Sequence, residues 1–244
     1  MESWDLHPRG FRHDRRWMLV DDDGIFLTQR VFPRMTLIRV EAKPDHLQVS
    51  APDMENLIVP LTVESDKHIP VVIWDDGVEA VSVGTFAAEW FSDFLNISCK
   101  LVTMTDRSIR PVIEQYSINN DVVSFADGFP LLLISESSLA DLNARLTVPV
   151  AMKRFRPNLV VKGCEPFAED SWKEISVSGV TLHVVKPCER CSIPTVDPET
   201  GEKGVEPSRT LATFRLVDNR ILFGQNVIHA GTGTLHVGDV VSVI

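Results

Sequence analysis

The chain has 244 residues, 44% apolar and 24% charged, with a formal net charge of −10. That is ordinary for a globular protein with a buried core, at a length that suits one large or two small domains of roughly 100–200 residues. So acidic a chain repels a phosphate backbone, which excludes nucleic acid as a partner. No apolar run approaches the roughly 20 residues that a membrane-spanning helix needs, and the opening MESWDLHPRG lacks the apolar stretch of a secretory signal. A cytoplasmic location without membrane contact is expected.

In chain order, the first half reads as short strands between turn signals: RRWMLV, the Asp23-Gly24 turn, IFLTQR, MTLIRVEA, HLQVSA, LIVPLTV and VVIW. Strands of this length and spacing suit a barrel or sandwich. Phe86, Ala87, Trp90, Phe91 and Phe94 then recur at helical spacing and predict a core-facing helix from Thr85 to about Leu95. Apolar patterning lapses at Met104-Thr105-Asp106-Arg107, where a domain boundary is expected, giving domains 1–104 and 105–244. Beyond it, FPLLLIS predicts a strand that leads through an N-capping Ser135 into a helix. NLVVKG, KEISVSGVTLHVVK with its Ser-Gly turn, TFRL, ILFGQNVIHA and TLHVGDVVSVI return to strands. The fold class expected is mainly β with a few helices.

Four cysteines, Cys99, Cys164, Cys188 and Cys191, are too few and too unevenly spaced for a disulfide framework and are expected as reduced thiols. Cys99 and Cys164 lie among apolar residues and read as packing. The sharpest local feature is KPCERCSIPTVDPETGEKG, a CxxC at the end of a predicted strand. It could be half of a zinc site, though only His183 supplements it and no second pair follows. It could be a redox dithiol, though Pro194, Pro198 and Gly201 argue against the helix that such a pair prefers. One of its sulfurs could instead hold a soft metal whose other ligands come from a cofactor. Both could also be unremarkable thiols. Arg190 beside Cys191 would lower that thiol's pKa and offer donors to an anion. Arg154 and Arg156 in KRFRPN, and Arg12, Arg15 and Arg16 in GFRHDRRW, are the other candidate anion contacts. Asp127-Gly128 is by itself only a turn, and His7 and His13 show no metal spacing.

FADGFPLLLISESSLADLN, RFRPNLVVKGCEPFAEDSWKEI, KPCERCSIPTVDPETG, FGQNV and VGDVVSVI together resemble the MOSC family, and GFRHDRRWMLVDDDGIFLTQR resembles its N-terminal domain. Within that family the chain resembles the YcbX-type bacterial proteins and the mitochondrial amidoxime-reducing component group. The resemblance implies an N-terminal MOSC-type β-barrel followed by a MOSC β-barrel domain. It further implies a molybdenum cofactor, with Cys191 as the thiolate ligand to molybdenum and as the catalytic residue. By the same likeness Arg15, Asp127, Phe129, Arg156 and Asn158 would bind the cofactor, with Arg190, Ser192 and Thr195 beside the metal. The activity implied is reduction of N-hydroxylated small molecules (amidoximes, hydroxylamines and N-hydroxylated nucleobases) to amines or amidines, with electrons from a separate reductase or ferredoxin. Persulfide-based sulfur transfer or cofactor delivery through Cys191, and a non-catalytic remnant, are the alternatives. Relatives usually open with a strand carrying a Lys-Ser pair, which does not precede GFRHDRRW, so the first strand of the first barrel is expected to be missing.

Overall fold

A computed structural model of the protein describes residues 2–63 and 68–244. Its first strands are β1 (Ser3–His7), β2 (Gly10–Phe11), β3 (Trp17–Val20), β4 (Arg39–Ala42), β5 (His46–Ser50), β6 (Leu57–Pro60), β7 (His68–Ile73) and β8 (Asp76–Ser82). Helix α1 (Thr85–Leu95) and β9 (Lys100–Thr103) follow. The chain continues through β10 (Leu131–Ser135), α2 (Glu136–Arg145), β11 (Leu159–Val161), β12 (Glu174–Val177) and β13 (Val180–Glu189). It ends with α3 (Ser208–Ala212), β14 (Leu216–Val217), β15 (Arg220–Ala230), β16 (Gly233–His236) and β17 (Val241–Val243). The fold is mostly β, with three α-helices among the described residues and barrel-like sheets, the class expected from the spacing of the apolar runs.

The chain forms two compact units that are not consecutive halves. One comprises the chain up to Asp14, Pro111–Thr195 and Gly204–Ile244; the other comprises Arg15–Arg110 and Val196–Lys203. Where the sequence suggests one cut between 104 and 105, the contacts change over at 110/111 and two short segments are exchanged. The first of these is held by strand pairing, since β1 lies antiparallel to β16, with Trp4 opposite Leu235. Neither β1 nor β2 is legible in the sequence, because Leu6 is the single buried residue of β1 and no alternation announces it.

In the unit 15–110, the sheets β3-β9-β8-β7 and β4-β5-β6 enclose a core of Leu19, Leu47, Val49, Val59, Phe91, Phe94 and Leu101. Helix α1 covers it with Ala87, Phe91, Phe94 and Leu95, the i, i+4, i+7, i+8 set of one helical face. Phe86 belongs to the expected stripe but falls off that face and is 45% exposed, lying over Gly84. Trp90 sits at the margin of the core and donates its indole N–H to the Glu55 carbonyl at 2.7 Å. Cys99 is in the core as expected; burial pushes its thiol pKa up, against a hydrogen bond from Ser92.

Two expected strands in this unit are shorter than read. The Asp23-Gly24 turn forms, with Asp21 Oδ1 accepting from the Asp23 and Ile25 N–H groups. Its second arm, however, makes only isolated bridges at Ile25 and Phe26 before turning again at Thr28. Pro33 starts a 3-10 turn over Pro33–Leu37, so MTLIRVEA becomes extended only from Arg39.

The other unit is built on the sheet β11-β10-β15-β13-β12-β17, with β14 paired to β15. β10 and β11 are its parallel pair, joined through α2 as a crossover requires. Ser135 caps α2 as expected, accepting from the Ser138 N–H at 3.0 Å. Leu131, Leu133, Ile175, Leu182 and Val227 are the buried centre of the sheet. TFRL is not a strand: the turn that follows α3 occupies residues 213–215, and β14 begins at Leu216.

Candidate active site

The two longest strands of the large sheet, β13 and β15, place the CxxC. They run in register from Thr181 opposite Ala230 to Val184 opposite Val227, then shift between Val184 and Lys186 and again between Pro187 and Glu189. Such bulges bend a strand and re-aim the side chains beyond them. The first leaves Val185 unpaired; the second sets Cys188 against both Phe223 and Gly224. Gly224 has φ +81°, and a Cβ there would lie 2.6 Å from Ile134 Cγ1 and 2.9 Å from the Leu133 carbonyl oxygen, so only glycine fits without displacement. The ladder persists to Arg190, whose N–H donates to the Ile221 carbonyl at 2.7 Å. Cys191 follows immediately and leads into a 3-10 turn, Ile193–Thr195.

The two cysteines differ in their surroundings. Burial pushes the Cys188 thiol pKa up, with the Arg190 guanidinium pulling it back and Asp127 adding to the rise. Arg190 Nη1 donates to Cys188 Sγ at 3.1 Å. From the sequence, Arg190 was expected to act on Cys191; the bulged strand end turns it back onto Cys188 instead. Cys191 is half-buried, and its sulfur accepts the Ile193 backbone N–H at 3.5 Å.

A second loop, RFRPN, lies against this strand end. Phe155 is buried, packed on Phe223 with ring centres 4.5 Å apart, and its carbonyl accepts from Arg190 Nη2 at 2.9 Å. Arg154 Nη1 donates to the Pro194 carbonyl at 3.2 Å, a second tie between the loops. Arg156 is exposed in a left-handed conformation, φ +56°, which costs a non-glycine residue about 1–3 kcal/mol and is a feature of functional loops. Asn158 is fully engaged: its Oδ1 accepts from the Leu132 N–H at 3.0 Å and its Nδ2 donates to Asp14 at 2.8 Å. It fixes the loop against β10 and holds Asp14, a residue that the sequence reading did not single out.

The remaining expected residues are placed as follows. Asp127 is exposed in the bend before β10 and close enough to act electrostatically on Cys188. Phe129 packs edge-on against Tyr116 at 5.5 Å, beside Val112, Val123 and Ile228. The Ser192 carbonyl accepts from the Thr195 hydroxyl at 2.7 Å, so Thr195, which is buried, closes the turn after Cys191. Arg15 belongs to the other unit and is also left-handed, at φ +50°. Of its neighbours, Arg16 is drawn into structure through the Met104 carbonyl and Asp106, and Arg12 is exposed. His183 pairs with Glu174 at 3.2 Å across β12 and β13. Among the described residues no three His, Cys, Asp or Glu side chains gather to hold a metal, so a metal held at Cys191 would need ligands from a bound group.

Two family profiles account for most of the sequence: one described as the MOSC domain matches residues 120–242, and one described as the MOSC N-terminal beta barrel domain matches residues 1–98. The chain belongs to the MOSC family. Mitochondrial amidoxime-reducing component 1 of Mus musculus is 36% identical over 96% of this chain and 73% of its own length. Component 2 of Rattus norvegicus is 36% identical over 93% and 72%, and component 1 of Homo sapiens 33% identical over 96% and 74%. A solution structure from Bordetella bronchiseptica, 24% identical and covering 41% of this MOSC chain and 88% of its own, superposes with a TM-score of 0.34, too low to bear on the fold. The two barrel types expected from the resemblance are those of this family, the N-terminal MOSC barrel and the MOSC domain.

Proposed function

We propose that this MOSC protein is a molybdenum-cofactor-dependent oxidoreductase that reduces N-hydroxylated small molecules, with Cys191 as the thiolate that holds the metal. The relatives' names give the reaction class, as amidoxime-reducing components. The observation that carries the reading is the contrast within the CxxC: both sulfurs are half-buried, but Cys188 is occupied by Arg190, while Cys191 stands past the last ladder bond with, among the described residues, a backbone N–H on its sulfur.

The residues present fit such a group. It asks the protein for one soft ligand and for donors to its anionic parts. Cys191 is the soft ligand. Arg190 Nε is a buried donor with no acceptor among the described residues, and Arg156 is an exposed cation on the adjoining loop. Asp127, Phe129, Asn158, Ser192 and Thr195 complete the proposed set within this unit, Asn158 and Thr195 by holding its loops in place. When bound, the cofactor supplies the two-electron reduction that breaks an N–O bond.

Balanced, R–NHOH takes up two electrons and two protons to give R–NH2 and water. The electrons come from a separate reductase or ferredoxin. Arginine donors near the metal would stabilise negative charge developing on the departing oxygen. A cytoplasmic location is the reading that the acidic, ordinarily apolar composition favours. Among the described residues no helix is long and apolar enough to cross a membrane.

The test is single-turnover: protein from a cofactor-producing host is reduced chemically, freed of reductant and mixed with an aromatic amidoxime. About one amidine per bound molybdenum is expected, and none from Cys191→Ser. Reduction by Cys191→Ser at the native yield would overturn the assignment. A persulfide on Cys191 in protein that holds no pterin would favour sulfur transfer instead.

A further inference from the structure

Arg190 is where the two loops of the candidate site meet. Nη1 donates to Cys188 Sγ at 3.1 Å and Nη2 to the Phe155 carbonyl at 2.9 Å, with the guanidinium carbon 5.4 Å from the Phe155 ring centre. The third face of the same plane, Nε–H, is buried and has no acceptor among the described residues. A guanidinium holds its donors in one rigid fork, so fixing two of them aims the third.

Cys188 suits the part of acceptor. Its sulfur accepts from the Arg190 guanidinium and lies 3.9 Å from the Glu189 carbonyl, within reach of its S–H. Cys188 sits opposite the Phe223–Gly224 bulge, and Phe223 packs on Phe155, so one lock joins strand end, bulge and loop.

We propose that Arg190 is a positioning residue that locks the strand end carrying Cys191 to the RFRPN loop carrying Arg156. Cys188 is then the hydrogen-bond acceptor that completes the lock, neither a second metal ligand nor a redox partner of Cys191. The buried Nε–H is the donor left for an anionic group bound at Cys191. This last element rests on the cofactor reading above; the lock itself does not.

The full chain, purified without cofactor, tests the lock through the rate at which iodoacetamide labels Cys191, followed by peptide mass spectrometry, with the melting midpoint beside it. Cys188→Ser keeps an acceptor and should label at the native rate. Cys188→Ala and Arg190→Met should each label several-fold faster, and the double variant no faster than either alone. Arg190→Lys keeps the charge but not the fork and should fall between. Arg154 on the Pro194 carbonyl remains as a second tie, so loosening rather than unfolding is expected.

Native-rate labelling in Cys188→Ala, or effects that multiply in the double variant, would overturn the lock. Should Arg190→Met fail to fold, the Cys188→Ala and Cys188→Ser comparison decides alone. In cofactor-loaded protein, pterin retention should drop in both Arg190 variants and hold in Cys188→Ser. Equal retention would remove the role of Nε–H, whereas a native protein that binds no pterin would sink the cofactor reading and leave the lock standing.

Discussion

Cys188 and Cys191 are the same side chain three positions apart, and their neighbours decide what each can do. A thiolate is the nucleophile and metal ligand, and burial without a committed partner suppresses it. Both sulfurs are half-buried, but Cys188 accepts from the Arg190 guanidinium while Cys191 has a backbone N–H on its sulfur. That division could not be read from CERC, because whether Arg190 turns toward one sulfur or the other depends on the bulge that precedes it.

Elsewhere at this scale, His229 is buried on β15 and donates Nδ1–H to the Gly231 carbonyl at 2.7 Å. Burial lowers its pKa below the ordinary value near 6.5, opposed by that hydrogen bond and by Asp121. The folded state thus resists a proton that the unfolded chain accepts. Stability from this group is complete above about pH 6.5 and is lost as pH falls through the lowered value. Urea titrations at about pH 7.5 and about pH 5.5 should show His229→Gln losing less stability than the native protein over this interval; an equal loss would contradict the assignment.

At the scale of elements, the site depends on the bulged end of the β13–β15 ladder and on the RFRPN loop. Gly224→Ala should destabilise by on the order of 2–5 kcal/mol, combining overpacking against Ile134 and the Leu133 carbonyl with left-handed strain. A melting curve unchanged from native would contradict that packing. Asn158→Ala leaves the Leu132 N–H without its acceptor and releases Asp14, a loss of about 1–3 kcal/mol measurable by urea denaturation.

Elements whose burial follows a local period were legible: α1 from its apolar face, α2 from Ser135, and the Ser178-Gly179 hairpin from its turn residues, both with positive φ. Those made by distant pairing or by proline were not. β1 is short and mostly exposed and exists because β16 is beside it. IFLTQR has strand composition but only bridges to pair with. The site follows the same division. The motifs offer Cys191 and Arg156 as candidates, whereas the engagement of Asn158 with Asp14 and of Arg190 with Phe155 spans 144 and 35 positions and has no local signature.

For the whole molecule, a net charge of −10 predicts no retention on immobilised duplex DNA even at low salt, where a phosphate-binding protein is held most strongly. Retention that falls steeply with added salt would reveal a basic surface at odds with the composition. The same charge makes long-range steering favour a basic protein partner over an acidic one, with an association rate that falls as salt rises. Family membership fixes the two barrels, and this chain's own residues decide whether the site is loaded.

The most direct test of the central claim is the molybdenum and pterin content of native protein, Cys191→Ser and Cys188→Ser, purified side by side from a cofactor-producing host. The proposed function predicts about one molybdenum per chain, as a single thiolate site requires, in the native protein and in Cys188→Ser, and loss of the metal in Cys191→Ser with the melting midpoint unchanged. Equal metal loss in both variants, or full retention in Cys191→Ser, would contradict Cys191 as the single protein ligand.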